Sequence, residues 1–233
     1  FANRDEIVLA SKLYFPMFDG PNAKGLSRKS IFAEIDHSLK RLQTDYLDLY
    51  IIHRWDYGTP IEETMEALHD LVKMGKVRYI GASSMHAWQF AKAQFIAEKN
   101  GWTKFVSMQN LYNLLYREEE REMIPLLQDR KVAMTPWSPL AGGRLTRDIG
   151  AVTARTSQAV QADLPAYIVA SDNEVISRVH KLADERGITR GQVATAWMLS
   201  KDYVTAPLIG ATKVNYLDDA LGAFEVALSA EEI

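Results

Sequence analysis

Near-continuous apolar runs, separated by stretches of helical period, set the rhythm of this chain. Six runs predict strands: EIVLASK (6–12), YLDLYII (46–52), VRYIGAS (77–83), TKFVSMQ (103–109), KVAMTPW (131–137) and VTAPLIG (204–210). Most do not alternate apolar with polar. Strands buried on both faces read this way, as in parallel sheets.

Helical patterns fill the gaps. Over 28–42, Ile31, Ile35, Leu39 and Leu42 share one face, with Ser27 as candidate N-cap. Thr59-Pro60-Ile61-Glu62 reads as a capping box with proline at the first helical position, and Gly75 ends that helix. Further helices are predicted over 86–99 and near 119–129, the latter kinked at Pro125 or starting later. Residues 141–171, rich in Gly, Ala, Thr, Ser and Gln, predict a long functional or disordered loop. Ser171-Asp172-Asn173-Glu174 and Thr189-Arg190-Gly191-Gln192 open two more helices, the first ending at Gly187. A short helix near 215–222 follows.

Strand then helix, repeated, predicts an α/β fold with a parallel sheet. The predicted strands end in polar groups: Lys12, His53, Ser83-Ser84, Gln109-Asn110 and Trp137-Ser138. An open sheet concentrates ligand contacts at one switch point, whereas a barrel collects them from many strands. The distribution favours a TIM-type (β/α)8 barrel, a single domain over 1–233, with six of its eight strands readable.

Composition narrows the chemistry. The 233 residues are 47% hydrophobic, enough for a substantial core, and the formal charge is −3. That balance gives no electrostatic reason to bind nucleic acid or an anionic membrane. No run approaches the roughly 20 apolar residues of a membrane span, and FANRDEIVLASK lacks the regions of a secretory signal. The sequence has no cysteine, which excludes disulfides, thiolate metal sites and a cysteine nucleophile. It also fits a reducing, cytoplasmic setting.

Two residues carry candidate chemistry. His53 follows an apolar strand directly and would meet the rim of a barrel, where a neutral imidazole could donate to a carbonyl or act as acid or base. Its bland alternative is a loop histidine. His37, His69, His86 and His180 fall in helical patterns or at a helix start and read as solvated faces or caps. Lys12 ends the first strand; it could snorkel out of the core, or stabilise a neighbouring anion and lower a tyrosine pKa. Other motifs fail. GPNAKGLS (20–27) has phosphate-loop spacing, but Leu26 stands where the lysine should be, so it reads as a turn. HRWD (53–56) has the letters of a kinase loop without its companion motifs. No G-x-G-x-x-G is present, and Gly81-Ala82-Ser83 lacks the second glycine of a hydrolase elbow.

Taken together, IVLASK, YLDLYIIHRWD, VRYIGASSM, SMQNLYNLLYR, TPWSPLAGGRLT and APLIGATKVNYLDDALGA, in this order, resemble the aldo-keto reductase family. The resemblance covers essentially the whole chain. It implies an eight-stranded barrel holding a nicotinamide cofactor, most often NADPH, and hydride transfer to the carbonyl of an aldehyde or ketone. By the same resemblance His53 orients the substrate and Lys12 lowers the pKa of a proton-donating tyrosine. Trp137 stacks on the nicotinamide, and Ser83, Ser84 and Gln109 bond its carboxamide. Ser138, Leu140, Gly143 and Arg144 lie along the pyrophosphate. Gly210, Ala211, Thr212, Tyr216 and Asp219 hold the adenosine end. From their position after His53, Trp55 and Tyr57, with the 141–171 segment, are expected to wall the substrate pocket, an aromatic wall that points weakly to aryl or alkyl aldehydes and ketones.

The match has departures. Ser84 stands where many members carry Asn. Gly210 and Tyr216 stand where NADPH-selective members carry a lysine and an arginine, with Lys213 nearby; NADPH is preferred and NADH is possible. The family's first two strands, with their aspartate and tyrosine, have no counterpart before Lys12, and neither Tyr14 nor Tyr57 occupies the tyrosine's place. LSAEEI reads as the start of another helix. The expectation is therefore part of a longer enzyme, lacking two βα units and a C-terminal tail and inactive by itself. The alternative function is a catalytically weak NADPH-binding barrel serving as a regulatory subunit. Expected partners are a small carbonyl compound, with no nucleic acid, no membrane and an open oligomeric state.

Overall fold

Parallel pairing needs a crossover between successive strands, and the chain supplies a helix for each of the first three. The computed structural model describes residues 3–151 and 171–233, so the greater part of the long loop expected over 141–171 lies outside the described residues. Two compact units divide the chain: residues 1–109 with 126–133, and residues 110–125 with 134–233.

In the first unit β1 (Ala10–Leu13), β2 (Leu47–Ile52), β3 (Val77–Ser83) and β4 (Phe105–Gln109) pair in parallel and in chain order. The two-residue β5 (Ala133–Met134) closes the list, and Ala133 belongs to this unit. Between the strands run α1 (Arg28–Leu42), α2 (Ile61–Lys73) and α3 (Ala87–Asn100). Ile31, Ile35, Met65, Leu68, Leu71 and Phe90 from these helices are buried with Leu47, Ile52, Ile80 and Phe105 of the strands. Each such side chain contributes about 1.5–3 kcal/mol relative to exposure.

Helix ends follow local chemistry. Ser27 Oγ accepts from the Ser30 N–H at 3.2 Å, as a cap should. The start of α2 corrects the expected capping box: Pro60 is the cap residue, and Thr59 Oγ1 donates to Asp56 Oδ2 at 2.9 Å instead. The Asp56 carboxylate, three residues earlier, outcompetes the helix for that hydroxyl. α4 (Met123–Arg130) begins later than 119, after a 3-10 turn at Glu118–Glu120, with Pro125 in its first turn where no N–H is needed. His69 is not solvated as expected: its Nδ1 accepts from the Thr103 N–H at 3.1 Å and pins α2 to the segment leading into β4.

In the second unit lie α5 (Asp172–Arg186), α6 (Arg190–Leu199) and α7 (Val214–Gly222). Leu145, Ile176, Val179, Ala183, Val193 and Ala194 form its core. The Thr189–Gln192 capping box is present as expected. The sixth expected strand, 204–210, is not a strand. It makes a single bridge, Met134↔Val204, and Leu208 N–H reaches Pro136 O at 2.9 Å. Pro136 and Pro207 lack N–H groups, so the ladder is interrupted, which also explains why β5 is far shorter than 131–137. The architecture is thus α/β with a five-strand parallel sheet that is not closed among the described residues. Among these residues no helix is long and apolar enough to cross a membrane.

Gly81 in β3 shows how tightly the sheet is filled. A Cβ there would sit 2.5 Å from Ser107 Oγ and 3.2 Å from Ile51 Cγ1. Gly81→Ala is expected to destabilise the protein by about 1–3 kcal/mol in urea denaturation, because both neighbours are held by strands.

Candidate active site

Strands of one direction finish on one side, so the register decides which tips are neighbours. In the first unit Leu13 pairs with Ile52, which puts Lys12 one step before the end of β1 and His53 just past β2. The His53 N–H donates to Leu13 O at 2.9 Å, extending the ladder by one bond. Ser83 pairs with Gln109, and Ser83 Oγ donates to Gln109 O at 2.7 Å while lying 3.2 Å from Ser84 Oγ. The Ser84 backbone is left-handed, with φ 50°, and turns the chain away from the strand. Lys12, His53, Ser83, Ser84 and Gln109 therefore occupy successive tips of β1 to β4.

Electrostatics fix the state of His53. Burial lowers its pKa to about 4, and the charges of Lys12 and then Arg54 push the same way. The ring is neutral at physiological pH. Lys12 is itself exposed on β1, the first strand of the open sheet, and partial burial of its surroundings lowers its pKa. Phe15 meets the His53 ring edge-on at 5.0 Å, and Tyr14 meets Phe15 at 5.1 Å. Tyr14 has φ 131°, a costly conformation for a bulky residue, directly after β1.

Asp56 organises the loop beyond His53. Its Oδ2 accepts from the Leu26 N–H at 2.7 Å and its Oδ1 from the Gly58 N–H at 2.8 Å, beside the Thr59 bond. Burial raises its pKa, but these bonds and the charge of Lys24 outweigh burial and leave it lowered. Trp55 faces Trp88 of α3 at 6.0 Å. Tyr57 is 78% exposed, and its hydroxyl accepts from Gln89 Nε2 at 2.8 Å. Gln89 Oε1 also accepts from the His86 N–H at 2.9 Å, so one side chain caps α3 and holds Tyr57.

The second unit carries the remaining candidates on two segments. Trp137 N–H donates to Asn110 O at 2.9 Å, and Asn113 Nδ2 donates to Ser138 O at 3.0 Å. Ser138 (φ 60°), Ala141 (φ 50°) and Gly143 (φ 96°) give a tight left-handed turn, in which Gly142 N–H reaches Ser138 Oγ at 3.2 Å. Leu140 packs on the core of this unit rather than standing clear of it. Arg144 donates to the buried Asp172 at 2.9 Å. Gly210, Ala211 and Thr212 are exposed ahead of α7; Lys213 is the residue that precedes the helix, with its Nζ 5.8 Å from the Tyr216 ring. Asp219 accepts from Thr189 Oγ1 at 2.6 Å, which fastens α7 to α6. Each of these residues is described within its own unit.

The nicotinamide group can be tested against the first unit. Gln109 ends β4 and is buried. An amide offers one donor edge and one acceptor edge, as a carboxamide does. Gln109 beside Ser83 and Ser84 fits such a group. Among the described residues no cluster of three or more His, Asp or Glu could hold a metal ion.

Sequence reasoning overlooked Asp56, Phe15, Arg54, Trp88 and Gln89. Asp56 had a signal, since Asp-x-Gly-Thr is the pattern of a side chain bonding backbone two residues on. Phe15, Trp88 and Gln89 had none, because their roles depend on contacts across the tertiary structure.

The known proteins that this chain resembles agree with one another. The Aldo/keto reductase family model matches residues 2–233. Aldo-keto reductase AMT2 of Alternaria alternata is 49% identical over 98% of this chain and 63% of its own length. Aldo-keto reductase AFTS1 of the same organism is 49% identical over 95% of this chain and 62% of its own length. Versiconal hemiacetal acetate reductase of Aspergillus parasiticus is 43% identical over 99% of this chain and 72% of its own length. The chain thus spans less than two thirds of the two Alternaria relatives it matches.

The imidazole of His53 is expected to titrate near pH 4 by NMR. Its folded pKa lies below the unfolded one, so the unfolded chain binds more protons between them. Its contribution to stability is complete above about pH 6.5 and declines as pH falls towards 4. Lys12→Met is expected to raise the His53 midpoint, measured by the same titration.

Proposed function

Since this chain belongs to the aldo/keto reductase family, we propose that it is the core of an oxidoreductase that transfers a hydride from a nicotinamide cofactor to the carbonyl of an aldehyde or ketone. NADPH is the preferred cofactor, with NADH as its alternative, and residues 1–233 belong to one α/β-barrel domain. One observation carries the reading: Lys12 and a neutral His53 stand on adjacent strand tips, beside the polar tips of β3 and β4.

The bound nicotinamide supplies the hydride. Ser83, Ser84 and Gln109 would hold its carboxamide, and Trp137 would lie against its ring. Ser138, Leu140, Gly143 and Arg144 are assigned to the pyrophosphate, with Arg144 already balanced by Asp172. Gly210, Ala211, Thr212, Lys213, Tyr216 and Asp219 are assigned to the adenosine end. Asp219 would act there partly by fixing α7.

His53 orients the substrate. Being neutral, it can donate one N–H to a carbonyl oxygen without leaving a competing cation in the site. Lys12 stabilises negative charge where the carbonyl oxygen gains it. Trp55 and Tyr57 wall the pocket. The proton donor is assigned to neither Tyr14 nor Tyr57.

In the full-length protein an aldehyde should cause loss of NADPH absorbance. His53→Ala and Lys12→Met should each lower kcat by about 10²–10⁴-fold, the range for removing a group that handles charge or a proton in the reaction. Unchanged kcat in both variants would refute the assignment of the site.

A further inference from the structure

Several cations of the first unit have carboxylate partners at or near the surface. Arg4 meets Asp48 at 2.6 Å, and Lys76 meets Asp36 at 2.5 Å. Arg54, half-buried beside His53, is different. Its Nη1 donates to the carbonyl of His53 at 3.0 Å, and its guanidinium lies 5.7 Å from the centre of the Phe15 ring. Among the described residues no carboxylate stabilises its charge. The nearest acid along the chain, Asp56, is turned to Leu26, Gly58 and Thr59 instead.

A half-buried guanidinium without a counter-ion has lost hydration and gained little in return. Burial lowers the Arg54 pKa, while Tyr14 opposes that change. Among the described residues one donor of its planar fork is used, by His53 O, and four are left to meet a ligand. Lys12 and Arg54 both act on His53, so two cations border the place assigned to the carbonyl. No carboxylate is seen there to cancel them among the described residues. The adjacent Trp55 and Trp88 rings, inclined by 58° with centroids 6.0 Å apart, supply an apolar wall.

We infer that Arg54 is a specificity subsite for an anionic substituent, and that the preferred substrate is an aryl aldehyde or ketone carrying a carboxylate. The inference rests on the carbonyl-reduction reading and names the substrate class of that site. The carboxylate engages the guanidinium fork. The aromatic ring lies along Trp55, and the carbonyl meets His53. The step itself is unchanged: hydride reaches the carbonyl carbon, a proton reaches its oxygen, and the carboxylate takes no part.

The test compares 4-carboxybenzaldehyde with 4-methylbenzaldehyde, substrates of similar shape, using the full-length protein and NADPH. The wild type should favour the carboxylate in kcat/KM by at least about tenfold, the size of one charge-assisted contact. Arg54→Gln should collapse that ratio towards one, and Arg54→Lys should keep part of it. Because a folding defect affects both substrates alike, only the ratio is read. A ratio near one in the wild type, or an unchanged ratio in Arg54→Gln, would overturn the inference. Quenching of tryptophan fluorescence by 4-carboxybenzyl alcohol and by 4-methylbenzyl alcohol gives a second readout without turnover. Arg54→Gln should weaken only the first by about tenfold; equal weakening of both refutes the subsite. Failure of every aldehyde to consume NADPH would instead refute the reductase reading, with the binding comparison still deciding on Arg54.

Discussion

Parallel hydrogen bonding in chain order is the constraint from which the rest follows. In such a ladder all carboxyl ends emerge on one side. A residue's position relative to its strand end then fixes its position in the site. Register pairs Leu13 with Ile52 and Ser83 with Gln109, so residues up to 97 positions apart in sequence, Lys12 and Gln109, belong to one ladder of tips. The apolar interior of the strands and the polar chemistry at their ends are two consequences of one geometry. The former needs both faces covered; the latter needs the ladder to stop.

Charge is graded along these tips. Burial and two cations keep His53 neutral, so its ring can donate a hydrogen bond without carrying a charge. The acid that might have neutralised those cations is held in the adjoining loop by two backbone N–H groups and a hydroxyl. The same carboxylate thus does structural service and leaves the local field positive. Gly25, with φ +92°, would place a Cβ 2.9 Å from Asp56 Oδ2, so the approach of the two loops depends on that glycine.

Much of this was legible in the letters. Continuous apolar runs gave away β2 and β3 almost to the residue, because buried strands tolerate few substitutes for Val, Ile and Leu. Capping chemistry located α1 and α6. The errors have physical causes. The run 204–210 is apolar enough for a strand, but Pro136 and Pro207 supply no N–H to a ladder. Thr59 matches a capping box, but a stronger acceptor took its hydroxyl. His69 looked like a surface residue because the Thr103 N–H it satisfies lies 34 positions away. Among site residues, Lys12 and His53 announced themselves by interrupting apolar runs. Arg54 sits within the quoted HRWD yet was silent, since its meaning comes from the missing neighbour, not from its own spacing.

The Asp56 cross-link has a practical corollary for grafting this loop between proteins. Residues 54–59 form the obvious cassette to exchange between relatives. Their backbone is nonetheless fastened to Leu26, in a different turn of the chain, and Tyr57 leans on a glutamine of α3. A transplanted cassette would arrive without its moorings unless residues 20–27 and Gln89 travelled with it. The heritable unit of this loop's shape is therefore a discontinuous trio of segments, and recombination that respects sequence order alone will cut through it.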